Sequence, residues 1–307
     1  MLPLSQSHLT LLEACPRKYQ YVFFDALLGP SSYEQRVTTQ WGNQFHLLMQ
    51  QAALDLPVGA IAPADTELAD SMQALSKAAP DVFAHLPTAS VVTPEASESS
   101  GNFSQSEHRR TLSFNGYLLT VIYDLVVFSE RDPKAAFENT QVAQGSQEKG
   151  VLGGVSTDSS GHIFDWKTHQ KPPPKAWLAN DWQTRLYRYV LCETTDLSPE
   201  QISMTYWFVR PSSRDSQQSS QPTSYRFDYS QLAHDLTRQD LQRLTDQLTL
   251  MRQQANFPKV SIEKGLCDRC PYNVRCDRSD RAFSQDPSRL LKAASQLTAD
   301  SAQEVSW

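Results

Sequence analysis

Long apolar runs are missing from this chain. No stretch approaches the roughly 20 apolar residues that span a bilayer, so no membrane association is expected. The opening segment, MLPLSQSHLTLLEACPRKY, lacks a basic start followed by an apolar block, so it does not read as a secretory leader. A cytoplasmic location is the expectation. Net positive charge is also missing: 28 basic side chains face 34 acidic ones, a balance of −6. That excludes a protein that coats nucleic acid with its whole surface, and any such contact must use local basic patches. Cysteine is scarce and its count, 5, is odd. In a reducing compartment this argues against a disulfide framework, and clustered thiols point to metal. No internal repeat is visible. What remains, 307 residues with 39% hydrophobic side chains, suffices for a substantial core.

Hydrophobic spacing predicts a helix over Ser5–Phe24, capped by Ser7, a second over Thr38–Leu54 carrying Trp41, Phe45, Leu48 and Ala52, and a weaker one over Asp65–Ala79. Val91–His108 is Ser- and Glu-rich and reads as a loop. Thr111–Phe114 and Tyr117–Phe128 flank Asn115-Gly116, which predicts a hairpin closed by a type I′ turn. Ser129–Gly161 reads as a surface insertion. A strand over His162–Lys167, a helix over Trp177–Glu193, and strands over Ile202–Val209 and Thr223–Tyr229 follow. A long amphipathic helix carries Leu232 to Met251, and a polar tail begins near Ser284.

Several constellations carry chemistry. In IFDWKT, Asp165 and Lys167 are two apart on a strand, so they share a face with Cα atoms about 6.6 Å apart, while Phe164 and Trp166 point the other way. A carboxylate beside an ammonium fits a site that binds a divalent cation and orients water; a plain ion pair is the bland alternative. Asp124 interrupts the apolar run YLLTVIYDLVVF, where a carboxylate is costly unless paired or metal-bound; a solvated strand end is the alternative. Two carboxylates on neighbouring strands with a backbone carbonyl and waters suit Mg²⁺ or Mn²⁺. Gln183 and Tyr187 are helical neighbours at i, i+4. His46 stands in GNQFHLLMQ, and a lone histidine is usually structural. The most specific signal is Cys267, Cys270 and Cys276, spaced C-x2-C-x5-C. Three clustered thiols need a fourth ligand, for which Cys15, directly before Pro16, is the candidate. Only one C-x-x-C knuckle is present, which favours an iron–sulfur cluster over the alternative, zinc. Cys192 reads as a packing residue.

In order, the chain shows LSQSHLTLLEACPRKYQY, G-x-x-x-H, a strand aspartate, D-x-K, Q-x-x-x-Y and C-x2-C-x5-C. This series resembles the RecB-like branch of the PD-(D/E)XK nucleases, especially the CRISPR-associated RecB-like exonucleases and the iron–sulfur nuclease domain of the AddB family. The resemblance covers roughly Leu4–Leu54 and Thr111–Arg278. It implies an α/β fold with a central mixed β-sheet flanked by helices, restriction-endonuclease-like, with a C-terminal iron–sulfur subregion. It implies metal ligands at His46, Asp124, Asp165 and the Trp166 carbonyl, a catalytic lysine at Lys167, a supporting pair at Gln183 and Tyr187, and 4Fe–4S ligands at Cys15, Cys267, Cys270 and Cys276. The expected division is a nuclease domain over residues 1–283 with the cluster region, a surface insertion over 129–161, and a tail over 284–307. The expected activity is Mg²⁺- or Mn²⁺-dependent phosphodiester hydrolysis on single-stranded DNA or DNA ends, in repair, recombination or CRISPR adaptation, beside a helicase or other partner protein. Arg17, Lys18, Arg185, Arg188, Arg275 and Arg278 are candidate phosphate contacts. Two other classes compete: a non-catalytic DNA-binding scaffold, and a zinc-ribbon interaction protein that would leave Asp124, Asp165 and Lys167 unexplained. The chain departs from its relatives in its insertions, and YDLVV lacks the basic residue that often follows the aspartate.

Overall fold

The structure, a computed structural model, describes residues 1–27, 33–56, 66–84, 103–130, 159–168, 172–209 and 221–278. The proposed tail over 284–307 and most of the 129–161 insertion lie outside them. So does most of the Val91–His108 segment, though its last six residues are strand.

Strands β1 (Leu2–Leu4), β2 (Phe103–Phe114), β3 (Tyr117–Glu130), β4 (Ser159–Lys167), β5 (Ile202–Phe208) and β6 (Thr223–Asp228) form one six-stranded sheet. Its order is β1-β3-β4-β5-β6, with β2 on the other edge of β3. The β1–β3 and β4–β5 pairs are parallel and the rest antiparallel, so the sheet is mixed as expected. The hairpin between β2 and β3 turns on Asn115 (φ 47°) and Gly116 (φ 81°), the two positive φ angles of a type I′ turn. Strand β2 is longer than the sequence implies, because its upper half is polar and alternates without a run of β-branched or aromatic residues.

Helices α1 (Gln6–Ala14), α2 (Pro16–Phe23), α6 (Lys175–Asn180), α7 (Trp182–Glu193) and α8 (Gln231–Gln253) cover one face of the sheet. Helices α3 (Tyr33–Ala53), α4 (Thr66–Ala78) and α5 (Pro80–Ala84) cover the other. Leu119, Tyr123, Ile163, Leu186 and Leu244 belong to the first core, and Phe45, Leu48, Leu125, Phe164 and Trp166 to the second.

Two predicted helices are each split in two. Cys15 is extended (φ −161°, ψ 107°), since the residue before a proline is driven out of the α region, and it caps α2 with Pro16 at the first helical position. Helix α1 is capped by Ser5 rather than Ser7, with the Ser5 N–H donating to His8 Nδ1 at 3.2 Å. Asp181 (φ −64°, ψ 144°) likewise separates α6 from α7, and its carboxylate accepts from the Gln183 N–H at 2.9 Å.

Candidate metal centre and cysteine cluster

The β3–β4 ladder runs from Glu130↔Ser159 to Leu125↔Phe164 and stops there. The next residues in that register are Asp124 and Asp165, so both carboxylates sit where the two strands part. At this opening the Asp124 side chain takes over the role of a strand partner: its Oδ2 accepts the Trp166 N–H at 2.7 Å. The facing pattern of β3 also changes here. Tyr123 lies in the core under α7 and Leu125 in the core under α3, though residues two apart on a regular strand share a face. The strand therefore turns over at Asp124.

Across from it on β2 the same disturbance appears. Ser106↔Leu125 and His108↔Tyr123 are paired, which sets Glu107 opposite Asp124. Glu107 has φ 49°, the left-handed region, in the middle of a strand. Such a conformation costs about 1–3 kcal/mol in a residue with a side chain and tends to occur at functional sites.

Helix α3 brings His46. Gly42, one turn earlier, lies so close to the end of β4 that an added Cβ would sit 2.9 Å from Thr168 Oγ1. This close approach explains the G-x-x-x-H spacing: the glycine lets α3 descend onto the strand end, and His46 then reaches over it. Its Nε2 is 3.1 Å from the Trp166 carbonyl oxygen and its Nδ1 is 3.3 Å from Asp124 Oδ1. Burial alone would lower the His46 pKa, but Asp124, with Asp165 and Glu107, outweighs it and pushes it up to about 9.

Asp165 and Lys167 share a face, as their spacing requires. Lys167 Nζ is 2.8 Å from Asp165 Oδ1 and donates to Gln183 Oε1 at 2.6 Å. Gln183 Nε2 in turn donates to Asp165 Oδ2 at 2.6 Å, so one amide from the first turn of α7 bridges both members of the pair. Burial raises the Asp165 pKa, Lys167 pulls it back, and Asp124 adds to the rise, leaving it at about 6. Burial opposes the Lys167 charge, but Asp165 outweighs it and the ammonium pKa lies above its usual value. Asp165 Oδ1 is buried and, beyond this ionic contact, accepts no directed hydrogen bond.

Tyr187, the other half of the Q-x-x-x-Y pair, is buried in the core under α7. Its backbone carbonyl accepts from Tyr123 OH at 3.0 Å, and its ring meets Tyr123 edge to face. Arg188 is a correction to the sequence reading. It is 5% exposed, donates to the Thr184 and Asp228 carbonyls at 2.8 and 2.7 Å, and stacks on Tyr229, so it joins α7 to β6 rather than facing phosphate. Arg185 pairs with Asp240 at 2.6 Å.

Glu107 is the residue that sequence reasoning missed. One ligand atom from each of His46, Glu107 and Asp124 lies within 4.8 Å of the others, the one such acidic, histidine or cysteine group among the described residues. Two oxygens bound to one Mg²⁺ at about 2.1 Å lie roughly 3–4 Å apart, so this donor set fits a divalent cation. Glu107 stood in a segment read as loop, and no sequence signal marks a glutamate for a left-handed backbone. Its pKa is pushed up to about 7, first by burial, then by Asp124, against the pull of His46.

Three of the four proposed cluster cysteines, Cys15, Cys270 and Cys276, lie near one another, with Cys270 beside the other two. The Cys270 backbone N–H donates to the Cys267 carbonyl at 3.1 Å. Arg278 Nη1 is 3.1 Å from Cys267 Sγ, and Cys276 Sγ is 4.0 Å from Tyr21 OH. The two chain ends are also tied without any cluster: the Arg17 N–H donates to the Pro258 carbonyl at 3.2 Å and Tyr272 OH to the Leu27 carbonyl at 2.6 Å. Cys192 stands apart. Its Sγ donates to the Leu197 carbonyl at 3.4 Å, and burial pushes its thiol up to about 11.

Comparison with protein-family models matches residues 3–277 to the PD-(D/E)XK nuclease superfamily. No curated protein matches the chain. Among the described residues no helix is long and apolar enough to cross a membrane.

Proposed function

The chain belongs to the PD-(D/E)XK nuclease superfamily, and on that premise we propose that it is an active metal-dependent DNA nuclease whose centre is His46, Asp124, Asp165 and Lys167. The observation that carries this reading is the opening of the β3–β4 ladder, where two carboxylates, a histidine and a paired lysine converge. His46, Asp124, Asp165 and the Trp166 carbonyl are the proposed cation ligands. When bound, a Mg²⁺ or Mn²⁺ ion supplies positive charge that polarises the scissile phosphate.

The chain's own residues do the rest. Lys167 stays protonated, so it acts as a cation and not as a base. An ammonium has three N–H groups, and the bonds to Asp165 and Gln183 use two. The third is suited to stabilise charge building on the phosphate. Gln183 orients this ammonium and keeps the Asp165 carboxylate turned to it. Tyr187 contributes indirectly, by seating α7 against β3.

The cysteines, in our reading, hold a 4Fe–4S cluster. A tetrahedral zinc–thiolate site, with bonds of about 2.3 Å, needs sulfurs about 3.8 Å apart. Only one C-x-x-C knuckle is present, where zinc sites commonly pair two, and this supports the cluster. Action on single strands or ends, membership of the RecB-like branch, and work beside a helicase in repair, recombination or CRISPR adaptation rest on the order of motifs in the sequence. Arg17 and Arg275, whose guanidinium groups lie 6.0 and 5.4 Å from the Tyr21 ring centroid, are the proposed phosphate contacts at this end.

The test is a pair of variants. Asp165→Ala and Lys167→Ala should each abolish DNA cleavage while circular dichroism and iron content stay unchanged. Full cleavage by both folded variants rejects the assignment.

A further inference from the structure

We propose that Glu107 is a direct protein ligand of the divalent cation, aimed at it by its own left-handed backbone. The inference rests on the metal site described above and adds to it a carboxylate outside the motif series. Three observations support it. Glu107 lies opposite Asp124 in the β2–β3 register, so its side chain starts beside the carboxylate at the strand opening. Its φ of 49° departs from extended backbone at the same level where β3 turns over. A carboxylate oxygen of Glu107 then falls within 4.8 Å of ligand atoms of both His46 and Asp124. Ser106 holds the neighbouring backbone in place, donating from Oγ to the Asp124 carbonyl at 2.9 Å.

A purely structural residue at this position has a different signature. Glycine adopts positive φ without the Cβ penalty, so nothing about the fold asks for glutamate there. A ligand explains both the side chain and the tolerated strain.

The experiment is a titration of Mn²⁺ into the full-length, DNA-free protein at pH 8, followed by loss of the free-ion electron paramagnetic resonance signal, with thermal melting in parallel. Glu107→Gln and Asp124→Asn should each weaken Mn²⁺ binding by at least about tenfold. Glu107→Gly should weaken binding equally and yet raise the melting temperature of the metal-free protein. Wild-type binding in Glu107→Gln, with binding lost in Asp124→Asn, overturns the role of Glu107 alone. Wild-type binding in both variants overturns the metal site itself. Normal binding and a lower melting temperature in Glu107→Gly make Glu107 structural and overturn the proposal.

Discussion

Gln183→Leu removes one amide that two buried charges share. In the wild type this amide accepts from Lys167 at 2.6 Å and donates to Asp165 at 2.6 Å. A hydrogen bond to a charged group contributes about 1.5–3 kcal/mol net, so losing two sets a range of roughly 3–6 kcal/mol. The two ends differ in access to water: the Asp165 side chain is 4% exposed and that of Lys167 is 17% exposed. Water can replace part of the Lys167 contact but little of the Asp165 one, which points to the lower end, about 3–4 kcal/mol. The assay is urea unfolding at pH 8 with a common m-value. Gln183→Glu separates the two ends. It keeps an acceptor for Lys167 but faces Asp165 with a second carboxylate, so its destabilisation should shrink on acidification toward pH 5, where one of the two takes a proton. That of Gln183→Leu should shrink less, because it adds no second carboxylate beside Asp165. Stability of Gln183→Leu within about 0.5 kcal/mol of wild type would show that the bridge contributes nothing and refute the reasoning.

Protons and cation compete at the strand opening. The pKa values of His46, Glu107 and Asp165 are raised to about 9, 7 and 6. In metal-free protein each therefore favours the fold when protonated, a contribution fully present below its unfolded value and lost as pH rises through the folded one, between about pH 4 and 9. Mg²⁺ must displace those protons, so the rise in melting temperature at fixed Mg²⁺ should be larger at pH 8 than at pH 6, and the reverse order would contradict this competition. Gly42→Val should push α3 off Thr168, costing about 1–3 kcal/mol and weakening Mn²⁺ binding through His46; unchanged binding in a calorimetric titration would show that the close approach does not set the histidine. Cys15→Ala should lose iron on anaerobic purification and lower the melting temperature, since closing a loop of about 250 residues can contribute up to roughly 5 kcal/mol. Cys192→Ala should change neither iron nor melting. Normal iron in Cys15→Ala would reject the link between the two chain ends.

Period-two spacing was enough to place Asp165 and Lys167 on one strand face and Phe164 and Trp166 on the other, because strand alternation is local. Asn115-Gly116 announced the hairpin for the same reason. Strand assignment alone did not fix the closeness of Asp124 and Asp165, because the β3–β4 ladder ends one pair short of them. The rest depends on contacts far apart in sequence. Strand β1 is three residues long and exists through its parallel pairing with Tyr117–Leu119. The Asp181 break between α6 and α7 lies among residues that are all helix-compatible. Arg188 sits at a helical position that looks as exposed as that of Arg185, and only the docking of β6 beside α7 turns it inward. Glu107 is the largest omission at the site. Its left-handed backbone lies beside the turn-over of β3, a contact remote in sequence, and nothing in SQSEHRR distinguishes it from a solvated glutamate.

The central claim is that this chain cleaves DNA with a cation held where β3 and β4 part. The most direct measurement is digestion of end-labelled single- and double-stranded DNA by anaerobically purified protein with Mn²⁺, with Mg²⁺ or with EDTA. Labelled fragments should appear with either cation, from the single strand or from duplex ends, and none should appear in EDTA. Cleavage that survives EDTA, or intact DNA after prolonged incubation with both cations, would contradict the account.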